Sequence, residues 1–174
     1  MRIMQDGESK VLRSECPKVP KELFGTDELK SMIAEMFKLL AAEHDGVAIA
    51  APQIEIPYQI FVVSPNLTST KKEKHLVYIN PKISKKSPST KYMDEGCLSV
   101  RWLYGQVRRH TKVSITAFDE NGNRFEKSAS GLLAHIFQHE TDHLSGVLFI
   151  DKAISLVRLS EEDIEVLESK NERA

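Results

Sequence analysis

The chain has 174 residues, with 24 lysines and arginines against 25 acidic residues, so its formal net charge is −1. Hydrophobic residues make up 41% and charged residues 28%, which excludes a disordered or fibrous protein and predicts one domain over residues 1–174. The near-neutral charge argues against DNA binding through phosphate contacts, and no apolar run is long enough to cross a membrane. The chain starts without a targeting signal and its two cysteines make no disulfide scaffold, so we expect a cytoplasmic protein.

The first half of the chain predicts one helix followed by short strands. Apolar residues recur at helical spacing over 27–43, and Thr26 can cap the start of this helix. Residues 59–63 and 76–79 predict strands, and we expect Asn80 and Pro81 to end the second of them. The polar residues 64–74 predict a surface loop.

The second half predicts a hairpin and a second helix. Residues 112–118 and 124–128 predict two strands joined by a turn at Asn121-Gly122. The second helix is predicted over 130–144 and is followed by a short strand at 148–150. Ser160 begins a capping-box pattern, which indicates a short helix within the C-terminal segment 155–174. Mixed short strands with two main helices predict the α+β class.

A candidate metal site lies on the second helix, where the sequence reads H-E-x-x-H. His139 and His143 are four residues apart, so both imidazoles lie on one helix face and can bind one cation beside Glu140. His135 lies one turn earlier, but three histidines at this spacing extend over about 12 Å and cannot share one ion. We therefore interpret His135 as a wall residue or a hydrogen-bonded core histidine.

A third ligand has to come from another segment. Cys97 lies beside Gly96 in a turn-like stretch, and a thiolate with two imidazoles suits Zn²⁺ or Fe²⁺ better than Mg²⁺ or Ca²⁺. A lone cysteine is usually a small buried side chain, which is our interpretation of Cys16. Residues 46–53 combine small side chains, a proline and Gln53, a composition typical of a backbone that lies close to a ligand or to another chain segment. Taken alone, it fits a tightly packed turn equally well.

Together, three segments resemble the signature motifs of peptide deformylases. They read G-x-A-x-A-A-P-Q at 46–53, E-G-C-L-S at 95–99 and Q-H-E-x-D-H at 138–143, in the order found in that family. The resemblance covers residues 3–151. It implies an α+β fold in which short, mostly antiparallel strands pack around a central metal-binding helix, with an N-terminal helix and a short C-terminal helix. It also implies removal of the formyl group from the N-terminal formylmethionine of new polypeptides, with release of formate.

The resemblance further implies three sets of site residues. The implied metal ligands are Cys97, His139 and His143. The implied catalytic groups are Glu140 as general acid and base, and Gln53 with the N–H of Leu98 as donors to the formyl oxygen. The implied substrate contacts are the strand after Gly46, the second motif, and a methionine pocket: Gly46, Val47, Ala48, Glu95, Gly96, Leu132, His135 and Ile136.

The same resemblance implies cofactors and partners. Fe²⁺ is the expected metal, with Zn²⁺, Ni²⁺ and Co²⁺ as substitutes. The expected partners are N-formylmethionyl nascent peptides, and we expect a monomer. The C-terminal segment fits a helix that contacts the ribosome and a mobile tail equally well. Two positions depart from the family pattern and bear on substrate preference. Ala48 stands in place of the second motif glycine, and residues 100–104 lack the proline that often follows the second motif.

Two other functions fit parts of the sequence. An H-E-x-x-H metallopeptidase would take a downstream carboxylate, Glu161, Glu162 or Glu165, as its third ligand and would leave Cys97 unused. A non-catalytic module would hold a structural metal and bind ribosomes or nascent chains. Structural zinc sites are usually closed by four protein ligands, whereas three convincing ligands are present here.

Overall fold

The computed structural model describes residues 1–67, 76–164 and 166, and it contains two main helices and eight strands within them. Short 3₁₀-helices lie at Val11–Arg13, Lys21–Leu23, Ala51–Ile54, Pro65–Leu67 and Phe149–Asp151. The helices are α1 (Asp27–Ala42) and α2 (Gly131–His143). The strands are β1 (Ala48–Ala50), β2 (Ile60–Val63), β3 (Val77–Lys86), β4 (Thr90–Cys97), β5 (Val100–His110), β6 (Lys112–Phe118), β7 (Arg124–Ser130) and β8 (Leu156–Arg158).

The strands form two antiparallel sheets. The first has five strands in the order β1-β2-β3-β6-β7, and the second has three in the order β4-β5-β8. Every strand pairing is antiparallel, and the predicted β6–β7 hairpin pairs in register from Lys112 with Ser130 to Phe118 with Arg124. The α+β class with mostly antiparallel strands is therefore confirmed. None of the helices within the described residues has the length and apolar character that crossing a membrane requires.

The five-stranded sheet has one main helix on each face. Successive residues of a strand point to opposite faces, and in β1 Ile49 joins the core under α1, whereas Ala48 and Ala50 join the core under α2. Under α2 the aromatic rings of Phe61 and Tyr78 stack with centroids 4.6 Å apart, and Phe137 packs on Tyr78 at 5.0 Å. Because α2 also contacts β5 of the second sheet, it lies at the centre of the molecule.

Two boundaries predicted from the sequence are wrong. The second predicted strand does not end at Asn80 and Pro81, because β3 continues to Lys86 through a register irregularity after Ile79. Both polar atoms of the Asn80 amide bond to the backbone of Val19, at 2.8 and 3.0 Å, and a proline is tolerated where the ladder is irregular. The strand predicted at 148–150 is instead the 3₁₀-helix Phe149–Asp151. Three apolar residues in a row do not distinguish a strand from a buried turn.

The C-terminal prediction is confirmed where the structure describes it. Residues 161–164 are helical, and the Ser160 hydroxyl accepts a hydrogen bond from the Asp163 N–H at 3.2 Å, as a helix cap does. Residues 68–74 of the predicted loop and most of the chain beyond 164 lie outside the described residues. The strands β4, β5 and β8 were not predicted from the sequence, and β1 was expected only as the strand after Gly46 that the resemblance implies.

Candidate metal centre and substrate cleft

The metal-ligand candidates come together on α2 and at the end of β4. His139 and His143 lie one helical turn apart, and Cys97 follows a register irregularity that turns its side chain towards them. The ligand atoms of these three residues all lie within 4.8 Å of one another, and Cys97 Sγ is 3.3 Å from His143 Nε2. His135 is outside this group, as expected.

The chemistry of these three donors fits a transition-metal ion. A thiolate and two imidazoles are the ligands that Zn²⁺ and Fe²⁺ accept, and three protein ligands leave a position for water or substrate. Burial lowers the pKa of His143 well below its ordinary value, so this ring is neutral, the form in which an imidazole binds a metal. Glu161 and Glu162, which the metallopeptidase alternative requires, are exposed and do not join the group among the described residues; Glu165 is not described.

The Glu95 carboxylate orients one of these ligands. Its Oε2 atom is 2.8 Å from His139 Nδ1, and its Oε1 atom is 2.8 Å from His135 Nε2. Burial alone would raise the pKa of Glu95, but hydrogen bonds from His135, His139 and Arg109 outweigh it and hold this pKa well below its ordinary value. An ionised carboxylate only accepts, so Nδ1 of His139 carries the hydrogen and Nε2 is left to bind a metal.

Arg109 is the main site residue that the sequence reasoning missed. Its Nε and Nη2 atoms lie 2.6 and 3.0 Å from the two oxygens of Glu95, and its Nη1 atom is 2.6 Å from Asp142 Oδ2. A surface lysine, Lys152, also bonds to Asp142 at 2.7 Å. The structure buries alternate positions of β5, at Gly105, Val107 and Arg109, whereas the sequence carries no local pattern that marks Arg109. A charged residue at such a position needs a buried partner.

Glu140 stands beside the three candidate ligands and is also buried. Its Oε2 atom has no hydrogen-bond partner among the described residues, which is unusual for a buried carboxylate. Burial raises the pKa of Glu140 to about 7, with the charge of His139 opposing and that of Glu95 adding to the shift. The carboxyl group is therefore able to change its protonation state near neutral pH.

Gln53 is held rigidly at the other side of the cluster. Its Oε1 atom accepts from the Ala50 N–H at 2.8 Å, and its Nε2 atom donates to Ser99 Oγ at 3.1 Å. Nε2 is also 3.6 Å from Cys97 Sγ. Leu98 is fixed as well, because its carbonyl accepts from Gln5 Nε2 at 3.0 Å and its side chain lies in the core under α1. Ser99 and Gln5 were not assigned these positions from the sequence.

An open cleft of about 280 Å³ leads to this group of residues. One wall is the segment that enters β1, another is the β4–β5 hairpin, and the third is the exposed start of α2. Two glycines lie in close contact with neighbouring side chains. A Cβ at Gly46 would lie 2.9 Å from Leu40 Cδ1, and a Cβ at Gly96 would lie 2.7 Å from Tyr104 Cε1. All eight substrate contacts expected from the sequence line the cleft: Gly46, Val47, Ala48, Glu95, Gly96, Leu132, His135 and Ile136.

Residues 1–159 match the family model for polypeptide deformylase. The chain belongs to this family. It is 42% identical over 147 residues to peptide deformylase 1B, chloroplastic/mitochondrial, of Arabidopsis thaliana, which covers 84% of this chain and 53% of that relative. It is 40% identical over 133 residues to the peptide deformylase of Acinetobacter baumannii (strain SDF), covering 76% and 73%. The chain thus spans about half the length of its relatives from Arabidopsis and, at 56%, tomato (peptide deformylase 1A, chloroplastic).

Solved deformylase structures agree with this fold. The actinonin-bound class I type b peptide deformylase from Acinetobacter baumannii superposes with a TM-score of 0.79 at 29% identity, covering 88% of this chain and 97% of that one. A peptide deformylase from Synechococcus elongatus in complex with actinonin gives 0.77 at 34% identity, covering 99% and 86%. The family is metal-dependent, and among the described residues Cys97, His139 and His143 form a group that could hold a metal ion.

The two departures from the family pattern lie at the cleft. The Ala48 side chain packs into the core under α2, so its methyl group is accommodated within the fold. In the segment 100–104, Arg101 and Trp102 line the cleft, and Trp102 has a φ of 65°. A positive φ is rare for a bulky side chain, so the surrounding contacts hold this residue in place.

Proposed function

We propose that this chain is a metal-dependent peptide deformylase, which hydrolyses the formyl amide of N-formylmethionyl peptides and releases formate. One observation carries the proposal. The thiolate and two imidazoles converge at the inner end of a cleft, beside a buried Glu140 whose Oε2 atom has no partner among the described residues. This is the constellation that hydrolysis of an unactivated amide requires: a metal position, a general acid and base, and room for the substrate.

Cys97, His139 and His143 would hold the metal. A bound Fe²⁺ or Zn²⁺ supplies Lewis-acid chemistry, polarising the formyl carbonyl and making water a better nucleophile. Glu140 takes the proton that the attacking water loses and delivers it to the departing amine, so formate and a free amino terminus result. Glu95 and Arg109 hold the ring of His139 in one orientation throughout.

Gln53 and Leu98 would stabilise the charge that develops on the formyl oxygen. The Gln53 amide cannot turn freely, because Ala50 and Ser99 each bond to it. Its Nε2 atom therefore keeps one direction beside Cys97. The backbone N–H of Leu98, the residue after Cys97, is the second proposed donor. Fixed donors of this kind are worth more than mobile ones, because they need no reorganisation during the reaction.

The peptide would bind along the edge of the five-stranded sheet. β1 lies at that edge, and Gly46, Val47 and Ala48 line the cleft. An extended peptide can add to such an edge through main-chain hydrogen bonds. The methionine side chain would lie against Leu132, His135 and Ile136, and these three follow the start of α2. One crystal structure of the Acinetobacter protein contains Met-Ala-Ser.

Several finer assignments are part of the same proposal. We assign Fe²⁺ as the native metal, the monomer as the working state, residues 1–174 as one catalytic domain, and the cytoplasm as the location. Relatives from Arabidopsis and tomato carry organellar names, so the location is tested by microscopy of the tagged chain in its source cell. Contact with the ribosome through residues 155–174 is tested by co-sedimentation, and the metal by elemental analysis after anaerobic purification.

The decisive experiment measures formate release from formyl-Met-Ala-Ser together with the metal content of the same sample. We expect about one metal ion per chain and catalytic formate release in the unaltered protein. Glu140→Gln keeps the ligands and should keep the metal while losing about 10²–10⁴ in kcat. Glu126→Gln, on the exposed face of β7, is the matched control and should change neither.

Three results would contradict the proposal. The first is absence of formate from the fully metal-loaded protein, and the second is unchanged turnover in Glu140→Gln. The third is cleavage of the Met-Ala peptide bond in unformylated Met-Ala-Ser, which would support the metallopeptidase alternative.

A further inference from the structure

An ion-pair bridge crosses the mouth of the cleft. Arg101, at the start of β5, places its Nη1 atom 3.1 and 2.9 Å from the two carboxylate oxygens of Asp45, and its Nη2 atom bonds to Glu43. Asp45 directly precedes Gly46 on the opposite wall. Arg101 and Asp45 both line the cleft, so the bridge joins the β5 wall to the segment that enters β1.

Neighbouring residues hold this bridge in place. The Arg101 guanidinium lies 5.5 Å from the centre of the Trp102 ring, within the range of a cation–π contact. The Trp102 backbone is held in its rare positive-φ conformation, and its carbonyl accepts from the Leu159 N–H at 2.9 Å. The Arg101 side chain is therefore a fixed part of the wall, held by Asp45, Glu43 and the Trp102 ring.

The charges at the mouth do not cancel. Among the described residues that line the cleft, Arg101 is the only lysine or arginine. Asp45 and Asp94 line the same mouth, and Glu43 lies behind Arg101. These three carboxylates stand against one guanidinium, which pairs with Glu43 and Asp45. Asp94 accepts a hydrogen bond from the neutral Gln106 amide and has no ion-pair partner among the described residues. Glu95 does not add to this excess, because the buried Arg109 neutralises it.

We propose that this negatively charged mouth selects the substrate by the charge of the residue that follows methionine. A lysine or arginine at that position is favoured, and an aspartate or glutamate is disfavoured. The inference rests on the proposed deformylase function, in which the methionine occupies the inner pocket formed by Leu132, His135 and Ile136. The next residue of the peptide then lies at the mouth, within range of Asp45, Asp94 and Arg101.

The first test compares three substrates on one enzyme: formyl-Met-Lys-Ser, formyl-Met-Ala-Ser and formyl-Met-Glu-Ser. We expect kcat/KM to fall in that order, with about a tenfold ratio between the lysine and glutamate peptides at low salt. The ratio should arise mainly in KM, since the charge acts on binding and lies away from the reacting bond. It should shrink at high ionic strength, because the mouth is open to solvent.

Two variants of the same ion pair give the sharper test. Arg101→Gln leaves the carboxylates unopposed, so the lysine-to-glutamate ratio should rise. Asp45→Asn removes one negative charge, so the ratio should fall towards one. Both variants break the same bridge, and a mere loosening of the wall would move both ratios in the same direction. The control pair is Lys85→Gln and Glu126→Gln, which breaks an exposed ion pair outside the cleft and should leave the ratio unchanged.

The outcomes separate this inference from the proposed function. Equal kcat/KM values for the three peptides, or ratios that shift in one direction in both variants, overturn the charge selection alone. Absence of formate from all three peptides overturns the deformylase function and this inference with it. Taking each ratio within a single variant removes differences in metal content between preparations.

Discussion

Strand β5 carries two arginines that each bind two carboxylates. Arg109 holds Glu95, which lines the inner end of the cleft, and Arg101 lines the mouth. At the inner end, the side chain of Arg109 is 5% exposed and that of its partner Glu95 is 0% exposed. At the mouth, the side chain of Arg101 is 22% exposed and that of its partner Asp45 is 52% exposed. The chemistry of the two pairs is the same, and the difference in burial separates their roles. The inner pair orients His139, a proposed metal ligand, whereas the outer pair is proposed to select substrates by their charge.

The largest effect is expected where the inner end loses a metal ligand. Cys97→Ala removes the thiolate and leaves two imidazoles, which is too few donors for stable binding of one ion. Metal content and formate release should both drop to background, as elemental analysis and a formate assay on one sample will show. Cys16→Ala removes the other cysteine, which is buried outside the cluster, and should leave both quantities unchanged. Retained metal in Cys97→Ala would contradict the ligand set.

The next largest effect concerns a donor that the inner end holds rigidly. Gln53→Ala removes the side chain proposed to face the formyl oxygen, and kcat should fall by about 10²–10³, the usual cost of one oxyanion donor. KM should change much less. Ser99→Ala keeps the amide but removes the hydroxyl that accepts from it at 3.1 Å, so the loss should be smaller. If Ser99→Ala lowers kcat as much as Gln53→Ala does, the Gln53 amide maintains the structure of the site and does not donate to the formyl oxygen.

The sequence predicted the inner end far better than the walls around it. Helical spacing brings His139 and His143 together, and the signature motifs identify Cys97 as the residue that joins them. The β6–β7 hairpin was predicted equally well, because Asn121-Gly122 separates two runs in which apolar and polar residues alternate. Such alternation is typical of a strand with one buried face.

The β4–β5 hairpin was missed for a physical reason. Most residues of β4 are exposed or half-buried, so its sequence is polar and shows no alternation; Glu95 is its one buried residue. Arg109 on β5 is buried because it pairs with Glu95 and Asp142. Where the strand itself is not predicted, the sequence indicates only a charged surface residue at this position. Only the fold shows that Arg109 meets Glu95, and that Arg101 crosses the cleft to Asp45. Partners 14 and 56 residues apart leave no local pattern.

Breaking the inner ion pair should have a large effect on stability. Arg109→Gln leaves the fully buried Glu95 carboxylate without its cation, and the free energy of unfolding should fall by about 3–5 kcal/mol. Urea unfolding of the metal-loaded protein measures this loss. Arg109→Lys keeps the charge but cannot bind both Glu95 oxygens side by side, so it should recover only part of the stability. Where Arg109→Gln does not fold, the intermediate stability of Arg109→Lys still tests the assignment.

The smallest effect should follow from the same substitution at the mouth. Arg101→Gln also strips an arginine from two carboxylates, but water can solvate Glu43 and Asp45 once their partner is gone. The free energy of unfolding should therefore change by less than about 1 kcal/mol in the same urea experiment. A loss as large as that of Arg109→Gln would mean that the bridge holds the two walls together. A small loss of stability, together with a changed preference between lysine and glutamate peptides, would mean that the two arginines differ in function. Arg109 would then stabilise the site, and Arg101 would act on substrate selection.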